Sequence, residues 1–143
     1  MKKSGNSRQK EDIMSSTVRN YFIGEFGKCS GQIISDKERV AGDMERILQN
    51  YDSAKVKIIF HPNVLDGYVG TALANQFHLS MHAWPDYKYV AINILTFNLD
   101  VKVKDIINHL GEIFNAEYIF FEEIPFGANY TSVNHIRRIN TEE

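Results

Sequence analysis

Only one cysteine, Cys29, occurs in 143 residues, so no disulfide can form within the chain. That scarcity fits a reducing, cytoplasmic setting, which is the expected location. No run of apolar residues reaches the ~20 needed to span a bilayer, so no membrane partner is expected. The first residues, MKKSGNSRQKEDIMSS, are basic but lack the apolar stretch of a secretory signal. No basic excess exists either: 16 Lys and Arg face 18 Asp and Glu, giving a net charge of −2. A chain of that balance has no whole-molecule field to hold a nucleic-acid backbone, so nucleic acid is not an expected partner. A glycine-rich phosphate loop is missing, because Gly67 and Gly70 are too sparse to form one. Paired cysteines for a metal site are missing too. What remains is 43% apolar and 24% charged residues, enough for one core and too apolar for wholesale disorder.

Hydrophobic patterning divides the chain into a polar tail (1–17), one domain (18–126) and a second polar tail (127–143). Tyr21 to Phe26 is aromatic and β-branched, which predicts a strand. Gly27 to Gly31 predicts a loop, and Ser35 with Glu38 has the spacing of a capping box. Val40, Met44, Ile47, Leu48 and Tyr51 then share one helical face. Lys55–His61, Tyr68–Ala74 and His78–His82 predict strands, and Tyr87–Phe97 predicts the strongest one. Asp100 is the expected N-cap of a second helix, with Val103, Ile106, Ile107, Leu110, Ile113 and Phe114 on its apolar face. Glu117–Ile124 predicts a last strand. The order β-α-β-β-β-β-α-β predicts an α+β fold. It is a two-layer sandwich of an antiparallel or mixed sheet with two helices on one face. The uncovered sheet face makes a homodimer a reasonable expectation.

The densest polar cluster is His78-x-Ser80-x-His82, followed by Trp84-Pro85-Asp86. Alternation puts both histidines and the serine on one side of a strand. The histidines would lie ~13 Å apart, too far to share one zinc ion, so no metal site is expected. Ser80 and His82, ~6.6 Å apart between Cα atoms, could meet as a nucleophile and base only with bending. A structural role on a sheet face or interface is the third reading, and spacing alone leaves these last two open. His61 and His109 are isolated.

The segment from Phe77 to Ile92 resembles the signature of the bacterial and archaeal S-adenosylmethionine decarboxylase proenzymes. The shared core is H-x-S-x-H-x-W-P followed by an acid. Tyr21–Cys29 is similar to that family's first strand, Phe60-His61 to its F-H before a flexible loop, and Val101–Phe114 to its second helix. The resemblance covers about residues 18–126. It implies an S-adenosylmethionine decarboxylase-like sandwich, dimerisation and a role in polyamine biosynthesis, toward spermidine. It also implies a pyruvoyl group made by the chain itself: a serine after a glutamate attacks the preceding peptide bond, and the pyruvoyl left behind serves as electron sink during decarboxylation.

At the positions that matter, the sequence departs from the pattern. Glu-Ser becomes Gln76-Phe77, the helper serine becomes Val69, and the catalytic cysteine becomes Phe97. The aromatic of the flexible loop aligns with Asn63. Phenylalanine is neither a nucleophile nor a general acid. His82, in the place of the processing histidine, and Ser80 are the remnant catalytic candidates. Asp86 in the place of a ribose-binding glutamate, Trp84 and Glu25 are the ligand-binding candidates. The resulting expectation is a pseudoenzyme that does not process itself and carries no cofactor, the pyruvoyl group being lost. It would act as a regulatory or structural partner, as a homodimer or with an active paralogue. Two alternatives stand beside it: a lyase-type enzyme of altered chemistry using Ser80, and a non-catalytic sensor of S-adenosylmethionine or a polyamine.

Overall fold

The computed structural model describes residues 20–62, 66–98 and 100–125. The two polar tails and Asn63 lie outside these residues. Six strands form one sheet in the order β2-β3-β4-β5-β1-β6: β1 (Asn20–Gly27), β2 (Ile58–His61), β3 (Tyr68–Leu73), β4 (Phe77–Trp84), β5 (Tyr89–Thr96) and β6 (Tyr118–Pro125). Every neighbouring pair is antiparallel, which settles the choice between antiparallel and mixed. Among the described residues three helices accompany the sheet: α1 (Gly31–Ile34), α2 (Lys37–Leu48) and α3 (Val103–Phe114).

Strand alternation sorts the sheet into two faces. On β4, Phe77, Leu79, Met81 and Ala83 are buried, whereas His78, Ser80, His82 and Trp84 are not. On β5, Val90, Ile92, Ile94 and Thr96 are the buried set. Against this inner face α2 packs Val40, Met44 and Leu48, and α3 packs Val103, Ile106, Ile107, Leu110 and Phe114. Close approach needs small residues. A Cβ on Gly111 of α3 would stand 2.5 Å from Ile119 Cδ1, so glycine lets α3 settle on β6.

Several boundaries differ from the sequence expectation. Ser35 does not start the first long helix; Asp36 does, its carboxylate accepting from Arg39 N at 3.2 Å. Ser35 instead closes the short α1, which occupies the end of the expected loop and is capped by Ser30. Asp100 does not cap α3: the preceding residue is Lys102, with no side-chain cap. Residues 55–57 do not join β2. The turn after α2 takes the Val56 amide first, Gln49 Oε1 accepting from Val56 N at 2.9 Å, and Glu45 Oε1 accepts from Ile58 N at 2.9 Å where β2 begins. β5 starts at Tyr89 because Pro85–Tyr87 forms a 3₁₀ turn that ends with Lys88 in the left-handed region at φ 52°.

Candidate functional site

The residues singled out by sequence fall into two groups at opposite ends of β4. At its start, Phe77 has no measurable exposure and belongs to the core. Phe97, just beyond β5, packs edge-to-face on His78 with ring centroids 4.6 Å apart. The peptide bond between Gln76 and Phe77 is fastened from several sides. Gln76 N donates to Asp52 Oδ2 at 2.8 Å, and Gln76 O accepts from Phe97 N at 2.9 Å. Gln76 Oε1 accepts from Asn98 Nδ2 at 2.8 Å, and Phe77 O accepts from Ala74 N at 3.0 Å. Asp52 is the residue that sequence reasoning missed. It is 9% exposed, and its second oxygen accepts from Ala54 N at 2.9 Å, so the carboxylate ties the end of α2 to the start of β4. A cleft of about 600 Å³ opens beside this end, lined in part by Asp52, Gln76, Asn98 and Asp105.

At the other end of β4, His82 and Trp84 stack with ring centroids 3.5 Å apart, and Tyr89 lies against Trp84 at 5.4 Å. His82 Nε2 is 2.9 Å from Asp66 O, so that nitrogen carries the proton and donates. The lone pair that could act as a base is then on Nδ1. Among the described residues no hydrogen bond joins Ser80 to His82; Ser80 stands in register with Thr71 and Asn93 instead. The nucleophile–base reading therefore gains no support from the geometry. Asp86 and Trp84 line one small cavity of about 30 Å³ with Asp66 and Gly67. Glu25 is not part of it. It lies along β1, in register with Ala91, and its carboxylate accepts from the Tyr89 hydroxyl. Burial first, and then that hydrogen bond and the glutamate charge, push the Tyr89 phenol up to about 12. The ligand-binding candidates are thus split into an Asp86–Trp84 pair and a Glu25–Tyr89 pair.

No cluster of three or more metal-ligating side chains exists among the described residues. Cys29 is buried, its thiol donates to Phe26 O at 3.4 Å, and burial pushes it up to about 11, so it is poorly suited to act as a thiolate. None of the helices in the described residues is long and apolar enough to cross a membrane.

A family model described as S-adenosylmethionine decarboxylase matches residues 20–127. The S-adenosylmethionine decarboxylase proenzyme of Clostridium tetani is 30% identical over 111 residues, covering 75% of this chain and 85% of that protein. The proenzyme of the same name from Acidithiobacillus ferrooxidans is 28% identical over 111 residues, covering 78% and 84%. Among solved structures, the adenosylmethionine decarboxylase of Aquifex aeolicus superposes with a TM-score of 0.62 at 14% identity, over 85% of this chain and 100% of that one. That likeness supports the sandwich fold.

These names correct one expectation, that no cofactor belongs here. The curated relatives are proenzymes, and a pyruvoyl group made by self-processing is the cofactor that the family carries. The local residues do not match its formation at the Gln76–Phe77 bond, since the buried Phe77 side chain holds neither oxygen nor sulfur. Cofactor chemistry in this family and the aromatic side chain at this junction are therefore two separate facts. With the family model matched from residue 20 to residue 127 and the fold in agreement, the chain belongs to the S-adenosylmethionine decarboxylase family.

Proposed function

We propose that this chain keeps the decarboxylase scaffold, does not cleave itself between Gln76 and Phe77, and serves as a regulatory or structural partner in polyamine metabolism. One observation carries the reading: the residue standing where the resemblance puts the processing serine is a fully buried phenylalanine. An acyl shift needs a hydroxyl or thiol next to the carbonyl it attacks. The Gln76 carbonyl has instead the Phe97 amide as its partner, and the Gln76 side chain is bound to Asn98. Phe97, standing for the family's acid, offers its ring to His78 rather than a proton to a substrate.

The partner surface in this reading is the outer face of the sheet. It carries Leu73 and Ile59, 65% and 60% exposed, toward the His78 end of β4, and the His82–Trp84–Tyr89 stack at the other end. A second copy or an active paralogue would cover it. The same stack, flanked by Glu25 and Asp86, favours a sensor as the second reading, because aromatic rings edged by carboxylates suit a flat cationic ligand such as S-adenosylmethionine.

Intact-mass measurement under denaturing conditions tests the main reading. A single species near 16.5 kDa is the expected result. Two fragments parted before Phe77 would overturn it. Calorimetry with S-adenosylmethionine and spermidine tests the sensor reading, which predicts heat that is lost in Trp84→Ala.

A further inference from the structure

Among the described residues, three that are not glycine hold the left-handed backbone region: Lys28 at φ 50°, Lys88 at φ 52° and Asn115 at φ 51°. They belong to three separate turns, from β1 to α1, from β4 to β5 and from α3 to β6. All three line one cavity of about 520 Å³. It shares no lining residue with the cleft beside Gln76 or the small cavity beside Trp84.

Glycine meets the left-handed region without a steric penalty, and asparagine tolerates it. Lysine meets it only against that penalty, so the turns themselves do not account for Lys28 and Lys88. Their ammonium groups do. The rim that carries them is fastened by backbone bonds between the turns. Cys29 N donates to Lys88 O at 2.9 Å, Ser30 N to Phe114 O at 3.0 Å and Glu117 N to Gly27 O at 3.1 Å. The lysine side chains are placed as well. Lys88 Cγ and Cε lie over Gly31, 3.6 and 3.8 Å from where a Cβ would stand. Lys28 Nζ lies 5.0 Å from the centroid of the Tyr118 ring. One acid opposes them in the lining: Glu117 Oε2 is 4.0 Å from Lys28 Nζ. Both groups of that pair are more than half exposed, so it holds weakly and gives way to a stronger anion. Ser30 Oγ accepts from Ile33 N, which leaves its O–H to donate.

We propose that this cavity binds the phosphate group of a small polar phosphate ester, with Lys28 and Lys88 as counter-charges and Ser30 and Asn115 as donors to its oxygens. Two lysines against one glutamate suit a dianion better than a carboxylate. The volume exceeds what a bare phosphate ion fills and lies in the range of small-molecule sites. Its lining is mostly polar, which suits a hydroxylated body on the ester rather than an apolar one.

Nuclear magnetic resonance of the isotope-labelled full chain tests this, with glycerol phosphate as the probe and chloride holding the ionic strength constant. The amides of Lys28, Cys29, Lys88, Asn115 and Glu117 are expected to shift saturably. Lys28→Asn and Lys88→Asn remove the charge but keep a residue that tolerates the turn, and each should weaken binding about tenfold. Glu117→Gln should tighten it about threefold by releasing Lys28. Inorganic phosphate should move the same amides with weaker affinity. Absence of a saturable shift at these amides would overturn the proposal, as would shifts that persist undiminished with both lysines replaced. Equal affinity for inorganic phosphate and the ester would overturn the assignment to an ester.

Discussion

The two ends of β4 make an instructive contrast. At one end Phe77 looks inward, among Ile and Leu side chains of the core; at the other His82 and Trp84 look outward, and they stack on each other rather than on the core. A single strand carries both because its side chains alternate. The inward position gains from carrying a ring: a buried aromatic side chain adds apolar area and contacts. The outward positions had no such gain available, since their rings are not needed to fill the interior. Packing thus holds the ring of Phe77 in the core and leaves those of His82 and Trp84 to one another.

Phe77→Ser should break this contrast most severely. It empties a fully enclosed ring site and leaves a hydroxyl without a water partner, at a cost of about 3–5 kcal/mol. Urea titration followed by far-ultraviolet circular dichroism reads the loss as a lower midpoint at unchanged slope. A cost under about 1 kcal/mol would mean that the ring is not the packing element described here.

Asp52→Ala tests the same end through its polar fastening. Two amides, Gln76 N and Ala54 N, lose their acceptor at once. The expected cost is about 2–3 kcal/mol, since an unsatisfied buried donor costs more than the bond it made. Exchange of the Gln76 amide should accelerate more than that of Met81 in mid-strand, a local signature that global destabilisation would not give.

The strand alternation behind this contrast was legible in the sequence, because His78, Ser80 and His82 share a parity that apolar Leu79 and Met81 interrupt. The apolar face of α3 was equally plain, and the residues predicted for it include five that are fully or nearly fully buried. Helix starts were less so. Ser35 and Asp36 are both capping residues one position apart, and only the competition between α1 and α2 for that stretch decides which one caps. The role of Asp52 was not legible, because nothing local tells of a partner 24 residues away. The match of Phe77 and Phe97 to the family's serine and cysteine positions came from the resemblance alone. No periodicity marks a phenylalanine as standing in for a serine. The pairing of His82 with Trp84 instead of Ser80 was also out of reach, since all three share one face and only the ring geometry chooses.

His82→Ala is the mildest change and the one that sharpens the contrast most. It removes one stacked pair and one hydrogen bond to Asp66 O, both at a partly exposed site. Each is worth roughly 0.5–1.5 kcal/mol where fully buried, and solvent competes for both here, so the net cost should be about 1 kcal/mol or less. Trp84 is the sole tryptophan, so its fluorescence reports the stack directly: removing the imidazole should change its intensity while the urea midpoint hardly moves. A cost approaching that of Phe77→Ser would mean that the outer face is held as tightly as the core. The histidine would then be a packing residue.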